Sequence, residues 1–150
     1  MIKLVTLLAL MTAPATAQVS PPGDWQVSST PRTVTDVVLQ LRTRINASGG
    51  RIVAVVDHAA NARSTGQVVP DTTVVIFGNP NLGTPLIKGN RAIALDLPQR
   101  MLVWRDGDVT KVGYLRPAVL AARYGFAPDD PDVVAIDKAL LGLATAATQP

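Results

Sequence analysis

The segment IFGNPNLGTPL, from Ile76 to Leu86, and the segment AIALDLPQRMLVW, from Ala92 to Trp104, decide the fold of this chain. The first ends an aliphatic run in a dense Gly/Asn/Pro turn, and the second returns at once to aliphatic residues. Shortly before them lies Asp57-His58, which contains the only histidine. Short apolar runs bounded by turn residues are typical of β-strands. The block therefore predicts successive strands of one sheet, joined by tight turns.

The first 17 residues have the pattern of a secretory signal peptide. Lys3 supplies a positive charge, an apolar run too short to span a bilayer follows, and Ala15-Thr16-Ala17 matches a cleavage site. The alternative is a buried N-terminal helix or strand. We expect export to a periplasm, a tether over residues 18–23 and a single domain over residues 24–150. No stretch of this mature chain is long and apolar enough to predict a membrane span.

The composition excludes several classes of function. The chain has no cysteine, which excludes thiol nucleophiles and thiolate metal sites and suits an exported bacterial protein. Its formal net charge is only +3, and its basic residues are scattered. Nucleic-acid binding normally needs a concentrated basic face, so no nucleic-acid partner is expected.

Periodicity and turn signals predict alternating helices and strands. Thr33 is the expected N-cap of an amphipathic helix that ends at Gly49-Gly50. Further helices are expected from Thr84-Pro85, from Pro117 and from Asp130-Pro131, with a polar connection at 61–66. The predicted strands span residues 25–30, 51–57, 72–77, 92–97, 99–105 and 109–115. The last two form a hairpin about Asp106-Gly107, which would pair Arg105 with Asp108 and Trp104 with Val109.

The strands RIVAVVD and TTVVIF have apolar residues on both faces. Antiparallel sheets usually leave one face wet and alternate accordingly. Helices account for one face only, so something must cover the second. We favour a homodimer formed through the sheet; the alternatives are a lipidic ligand or a monomer whose loops fold over that face.

A family resemblance fits these patterns. The runs DHAANARSTG, IFGNPNLGTPLI, ALDLPQRMLVW and RYGF resemble the family called domain of unknown function 302, over about Val27 to Phe126. The resemblance implies an α+β fold of β-α-β-β-β-β-α type. In it, a curved antiparallel sheet of about five to six strands carries helices on one face, similar to the TATA-binding-protein-like topology. It also implies a homodimer, and it supplies no reaction.

Residues that could carry chemistry are few. His58 is the only imidazole and follows a strand next to Asp57, so it could act as a general base with Asp57 or Asp96; otherwise it simply ends the strand. A Ser-His-Asp arrangement with Ser64 lacks the nucleophile elbow. One histidine is too few for the usual zinc or copper sites, and haem ligation by His58 and Met101 lacks an attachment motif. We therefore expect no metal and no cofactor.

The glycine-rich turn resembles a phosphate loop but lacks its lysine, and Pro80 lacks an amide donor. Amides near Thr84, at a predicted helix N-terminus, could still hold a small anion with Lys88 or Arg91 nearby; the alternative is a plain turn. Two hypotheses follow: a non-catalytic homodimer that binds a small ligand or partner, and an enzyme that uses His58. The candidate ligand-binding residues are Asp57, His58, Asn61, Gly78, Asn79, Pro80, Gly83, Thr84 and Asp96.

Overall fold

The computed structural model describes residues 23–149. The predicted signal peptide and all but the last residue of the predicted tether lie outside this range. This range contains five strands and five α-helices, with a 3-10 helix at Arg91–Leu95 before β4. The strands are β1 Trp25–Thr30, β2 Arg51–Asp57, β3 Thr72–Gly78, β4 Gln99–Asp106 and β5 Val109–Leu115. The helices are α1 Val34–Ala47, α2 His58–Ser64, α3 Pro80–Gly89, α4 Pro117–Arg123 and α5 Pro131–Thr148.

The strands form one antiparallel sheet in the order β1-β5-β4-β3-β2. The expected α+β fold is thus confirmed, with five strands in the sheet. The prediction of a strand over residues 92–97 is wrong. Asn90 caps a 3-10 helix there by accepting a hydrogen bond from the Ala92 amide, and only Ile93 of that helix is buried.

The β4–β5 hairpin turns one residue later than predicted. Asp106 pairs with Val109 and Trp104 with Lys111, so Gly107-Asp108 forms the connection. Gly107 has a φ of 58°, a conformation that glycine adopts without a steric penalty. Compared with the prediction, the partner of each β4 residue lies two positions further along β5. Because strand side chains alternate with period two, every side chain stays on its predicted face.

Helices α1 and α5 pack against each other and cover one face of the sheet. Thr33 caps α1 as expected, since its hydroxyl accepts a hydrogen bond from the Asp36 amide at 3.1 Å. Helix α5 turns four side chains toward the sheet, and all four are buried: Val133, Ile136, Leu140 and Leu143. They pack with alternate side chains of the central strands, such as Val75, Met101, Val103 and Val112.

The opposite face of the sheet carries the other half of these strand residues. We call it the open face and define it by the cross-strand partners that share it. Its apolar side chains are those of Trp25, Val27, Ala54, Val56, Val74, Ile76, Leu102, Trp104 and Leu115, and it also carries Ser29, Thr72, Arg100, Lys111 and Gly113. Each of the nine apolar side chains is only half-buried, whereas the alternate residues of β3 and β4 under the helices are buried.

Two other expectations about local structure need correction. The residues after β2, predicted to form only a polar connection, make up α2, with Asp57 as its N-cap. Helix α3 begins at Pro80, with Asn79 as its N-cap, and Pro85 lies inside it. The Asn79 side chain accepts a hydrogen bond from the Asn81 amide at 3.0 Å. Asn followed by Pro therefore starts the helix before Thr84-Pro85 can.

Thr110 supplies a prediction about stability. Its side chain is fully buried, and its hydroxyl has no hydrogen-bond partner among residues 23–149. A buried hydroxyl without a partner costs roughly 1–3 kcal/mol of desolvation. We expect Thr110→Val to raise the free energy of unfolding by about 1 kcal/mol in urea titrations. The exposed Thr43→Val serves as the control, and an equal or lower stability of Thr110→Val would refute the assignment.

Candidate functional site

A cavity of about 470 Å³ lies between the helices and one end of the sheet. Its walls come from the C-terminal end of α1, the start of β2, the end of β3, α3 and the middle of α5. Ala94 in the 3-10 helix and the loop before β4 complete the wall. Cavities of this size are typical of small-molecule sites.

The cavity is mainly apolar. Its inner wall consists of buried side chains, including Ile45, Phe77, Ile136 and Leu140. Its polar lining residues lie toward solvent, where Ser48, Arg51 and Thr84 are exposed and Asn79 and Gln99 are half-buried. Among residues 23–149, neither a carboxylate nor an imidazole is part of the lining. The cavity is therefore suited to binding an apolar body.

Five of the predicted site residues line this cavity: Gly78, Asn79, Pro80, Gly83 and Thr84. They arrive there because β3 ends at the cavity and α3 starts beside it. The anion site expected at a helix N-terminus near Thr84 is not formed, because Thr84 lies within α3. The amides at the true N-terminus are engaged, with those of Leu82 and Gly83 donating to the Asn79 carbonyl.

Asp57, His58 and Asn61 lie at the other end of β2. The cavity reaches along β2 as far as Val53, and the four-residue rise from Val53 to Asp57 spans about 13 Å. His58 and Asn61 are exposed on α2, and the Asp57 carboxylate accepts a hydrogen bond from the Ala60 amide at 2.8 Å. Asp57 thus caps α2 and does not contact the cavity.

Asp96 lies in a third place, where it ties β4 to α4. One carboxylate oxygen accepts hydrogen bonds from the Tyr124 hydroxyl at 2.6 Å and from Arg123 at 3.0 Å. Arg100 lies 3.5 Å from the other oxygen. The pKa of Asp96 is lowered, mainly by the hydrogen bond from Tyr124. The hydrogen bond and charge of Arg123 and the charge of Arg100 lower it further, whereas burial opposes the shift. The hydrogen bond to Asp96 also raises the pKa of Tyr124.

This arrangement predicts a pH-dependent contribution to stability. Tyr124→Phe removes the main cause of the lowered pKa, so the pKa of Asp96 should return toward 3.8. A carboxyl whose pKa is lowered by folding adds stability that is present above its unfolded pKa and is lost as pH falls through its folded pKa. Tyr124→Phe should therefore be less stable than the wild type at pH 6, and the difference should shrink as the pH falls below 3.8 and Asp96 becomes protonated in the wild type as well. Urea titrations at pH 6 and at a series of lower pH values test this; a difference that does not change with pH would contradict it.

Predicted site residues thus occupy three separate places, and the single cleft expected from His58, Asn61, the glycine-rich turn and Asp96 is not formed. Sequence reasoning also missed much of the cavity wall, notably Arg51, Ala94 and the α5 residues. The position of Arg51 could have been predicted. It begins a strand directly after Gly49-Gly50, at the end of the sheet where the neighbouring antiparallel strand β3 finishes. No sequence signal placed α5 against α3.

Within residues 23–149, no group of three or more His, Cys, Asp or Glu side chains is arranged to hold a metal ion. A search of the same residues finds no helix with the length and apolarity needed to cross a membrane.

Comparison with known proteins gives two kinds of match. The first is to curated bacterial proteins. The chain is 39% identical over 74 residues to the fluoride-specific ion channel FluC 1 of Brucella suis biovar 1, a match covering 49% of this chain and 29% of that protein. The match to FluC 2 of Brucella melitensis biotype 1 has the same identity and covers 27% of the relative. The chain therefore spans less than a third of the length of these curated relatives.

The second match is to a solved structure. An uncharacterised conserved DUF302 protein from Bacillus stearothermophilus superimposes with a TM-score of 0.74 at 14% sequence identity. The match covers 85% of this chain and 99% of that one, which shows a shared fold. The model of the family "Domain of unknown function DUF302" matches residues 25–143, most of the chain. The chain belongs to the DUF302 family.

Proposed function

We propose that this domain is a non-catalytic binding module that takes a small, largely apolar molecule into the cavity beside α3. One observation carries the proposal. A cavity of about 470 Å³ has buried apolar side chains on its inner wall and polar side chains only toward solvent. Ligand sites commonly combine an apolar wall with a few polar groups that fix orientation.

The alternative of an enzyme that uses His58 has less support. A general base must come within hydrogen-bond reach of the proton it removes. His58 is exposed and lies beyond the end of β2, five residues or about 16 Å from Val53 of the cavity wall, and Asp96 is engaged by Tyr124 and Arg123. Asp96 lines a second pocket, beside Trp25, Val74 and Leu102 of the open face, and His58 is not part of its lining.

Octan-1-ol, a neutral apolar probe, tests the binding site. Ala94 lines the cavity and Ala92 does not, although both are exposed in the same 3-10 helix. A large side chain should fill the cavity only from position 94. By isothermal titration calorimetry, octan-1-ol should bind the wild type and Ala92→Trp equally and Ala94→Trp at least tenfold more weakly. Absent binding to the wild type, or equal binding by the two variants, would refute the proposal.

We also propose that the module is a homodimer formed through the open face. Leaving so many large apolar side chains half-exposed is costly in a monomer, and extended apolar patches commonly mark interaction surfaces. Five strands about 4.8 Å apart and roughly 20 Å long present about 500 Å² per copy. Two copies would bury about 1,000 Å², the size at which specific interfaces begin. Sedimentation equilibrium at micromolar concentration should therefore give twice the monomer mass.

A second function is favoured by the Brucella relatives, whose names describe fluoride-specific ion channels. We propose as the second candidate that the module serves a fluoride-conducting membrane protein in its host. Deleting its gene should then lower the fluoride concentration that stops growth, while chloride tolerance stays the same. Unchanged fluoride tolerance would contradict this candidate.

A further inference from the structure

We infer that the ligand of the cavity is an amphiphilic monocarboxylate, with its carboxylate at Arg51 and its apolar chain against α5. This inference rests on the proposed binding function and adds a chemical class to it. It follows from the size of the cavity, the charge at its rim and the direction in which its polarity changes.

The volume sets the size of the ligand. A water molecule takes about 30 Å³ in the liquid, and a carbon atom with its hydrogens takes a similar share. The cavity of about 470 Å³ therefore accommodates about ten to fifteen non-hydrogen atoms, since packing is never complete. This range corresponds to a medium-length chain with one head group.

The charge of the rim sets the sign of the head group. Among residues 23–149, Arg51 is the only charged residue in the lining of the cavity, and no aspartate is part of that lining. None of the ion pairs found within residues 23–149 involves Arg51. A guanidinium binds a carboxylate through two parallel hydrogen bonds, which makes arginine a selective partner for planar anions.

The polarity of the cavity sets the orientation of the ligand. Arg51 and Ser48 are exposed, whereas Ile45, Phe77 and Leu140 are buried. Asn79 accepts its capping hydrogen bond through Oδ1, which leaves its Nδ2 group as a donor, and the preceding residue, Gly78, pairs with Arg51. The Ser48 hydroxyl already donates to the Ile45 carbonyl. A carboxylate at the rim meets the Arg51 and Asn79 donors, and the chain attached to it enters the apolar interior.

Three probes with the same eight-carbon chain test the inference: octanoate, octan-1-ol and octylammonium. Titration calorimetry at pH 7 should show that octanoate binds the wild type about tenfold more tightly than octan-1-ol, and that octylammonium binds least. Arg51→Gln should weaken octanoate binding about tenfold and leave octan-1-ol binding unchanged. Arg44→Gln is the matched control, because it removes the same charge from the last turn of α1 without touching the cavity, and both probes should bind it as they bind the wild type.

The outcomes separate the inference from the function on which it rests. If octanoate and octan-1-ol bind equally, or if Arg51→Gln affects both alike, the carboxylate class is refuted while the apolar site stands. If octanoate loses as much affinity in Arg44→Gln as in Arg51→Gln, the attraction is diffuse and the assignment to Arg51 is wrong. If no probe binds the wild type, the proposed function fails together with the inference. Circular dichroism of each variant confirms that it is folded.

Discussion

The substitution Leu102→Lys is expected to dissociate the proposed homodimer into monomers without unfolding them. Leu102 lies on β4, the central strand of the sheet, and its side chain is on the open face between Val74 and Gly113. In a two-fold interface the same patch meets its own copy, so one substitution places two ammonium groups at the centre of the contact. Burying unpaired charges costs several kcal/mol, which corresponds to at least a hundredfold weaker association.

Sedimentation equilibrium measures this effect directly. Leu141→Lys is the control, since Leu141 is 46% exposed on the outer side of α5 and should leave the dimer intact. In the monomer the open face remains exposed to solvent, where a lysine is tolerated, so the circular dichroism spectrum of Leu102→Lys should match that of the wild type. If Leu102→Lys still forms a dimer, the interface must lie on another surface of the protein.

Gly113→Val is expected to lower the free energy of unfolding by about 2–3 kcal/mol, at the upper end of the range for overpacked positions. Gly113 is buried on β5 beneath both tryptophans of the chain. A Cβ atom there would lie 3.1 Å from atoms of both Trp25 and Trp104. The two methyl groups of valine extend further, so both indoles must move.

Urea unfolding followed by tryptophan fluorescence tests this prediction, because any displacement of the indoles also changes the emission of the folded state. Gly142→Ala is the control, because Gly142 in α5 has no atom within 4 Å of an added Cβ. That substitution should raise stability by about 0.5–1 kcal/mol through helix propensity. Wild-type stability and emission in Gly113→Val would show that the indoles do not converge on Gly113.

Most of the fold follows from local patterns in the sequence. The stripe of Val34, Val37, Val38, Leu41 and Ile45 after a Thr33 cap predicted α1, and all of these side chains are buried except that of Val38, which is partly buried. The absence of alternation in β2 and β3 predicted a sheet that is apolar on both faces. Such signals succeed because cap, periodicity and turn chemistry agree at these positions.

The errors arose where two local signals competed. The run from Ala92 to Leu97 has strand-like composition, but short apolar runs do not distinguish strand from helix. The N-cap at Asn90 favours a 3-10 helix, in which the Leu95 side chain is 87% exposed. Likewise, Asn79-Pro80 and Thr84-Pro85 both have the form of a helix start, and the one nearer the end of β3 prevails.

The candidate site was only partly predictable, for a different reason. The residues from Gly78 to Thr84 are contiguous, so their shared location follows from the chain itself. The partners that make them a cavity, such as Arg51, Ala94 and Leu140, depend on how α5 returns across α3 and α1. Long-range packing of this kind leaves no local pattern. The Asp57-His58 pair is conspicuous in the sequence, yet in the structure Asp57 serves as the N-cap of α2.

The most direct test of the account is a chemical-shift titration of the ¹⁵N-labelled protein with octan-1-ol. If the cavity beside α3 is the binding site, the largest amide shifts will come from residues that line it, including Gly83, Ile87 and Ala94, while His58 on α2 stays unchanged. Shifts centred on His58, or on the Trp25 and Trp104 indoles of the open face, would place the ligand elsewhere and contradict the account.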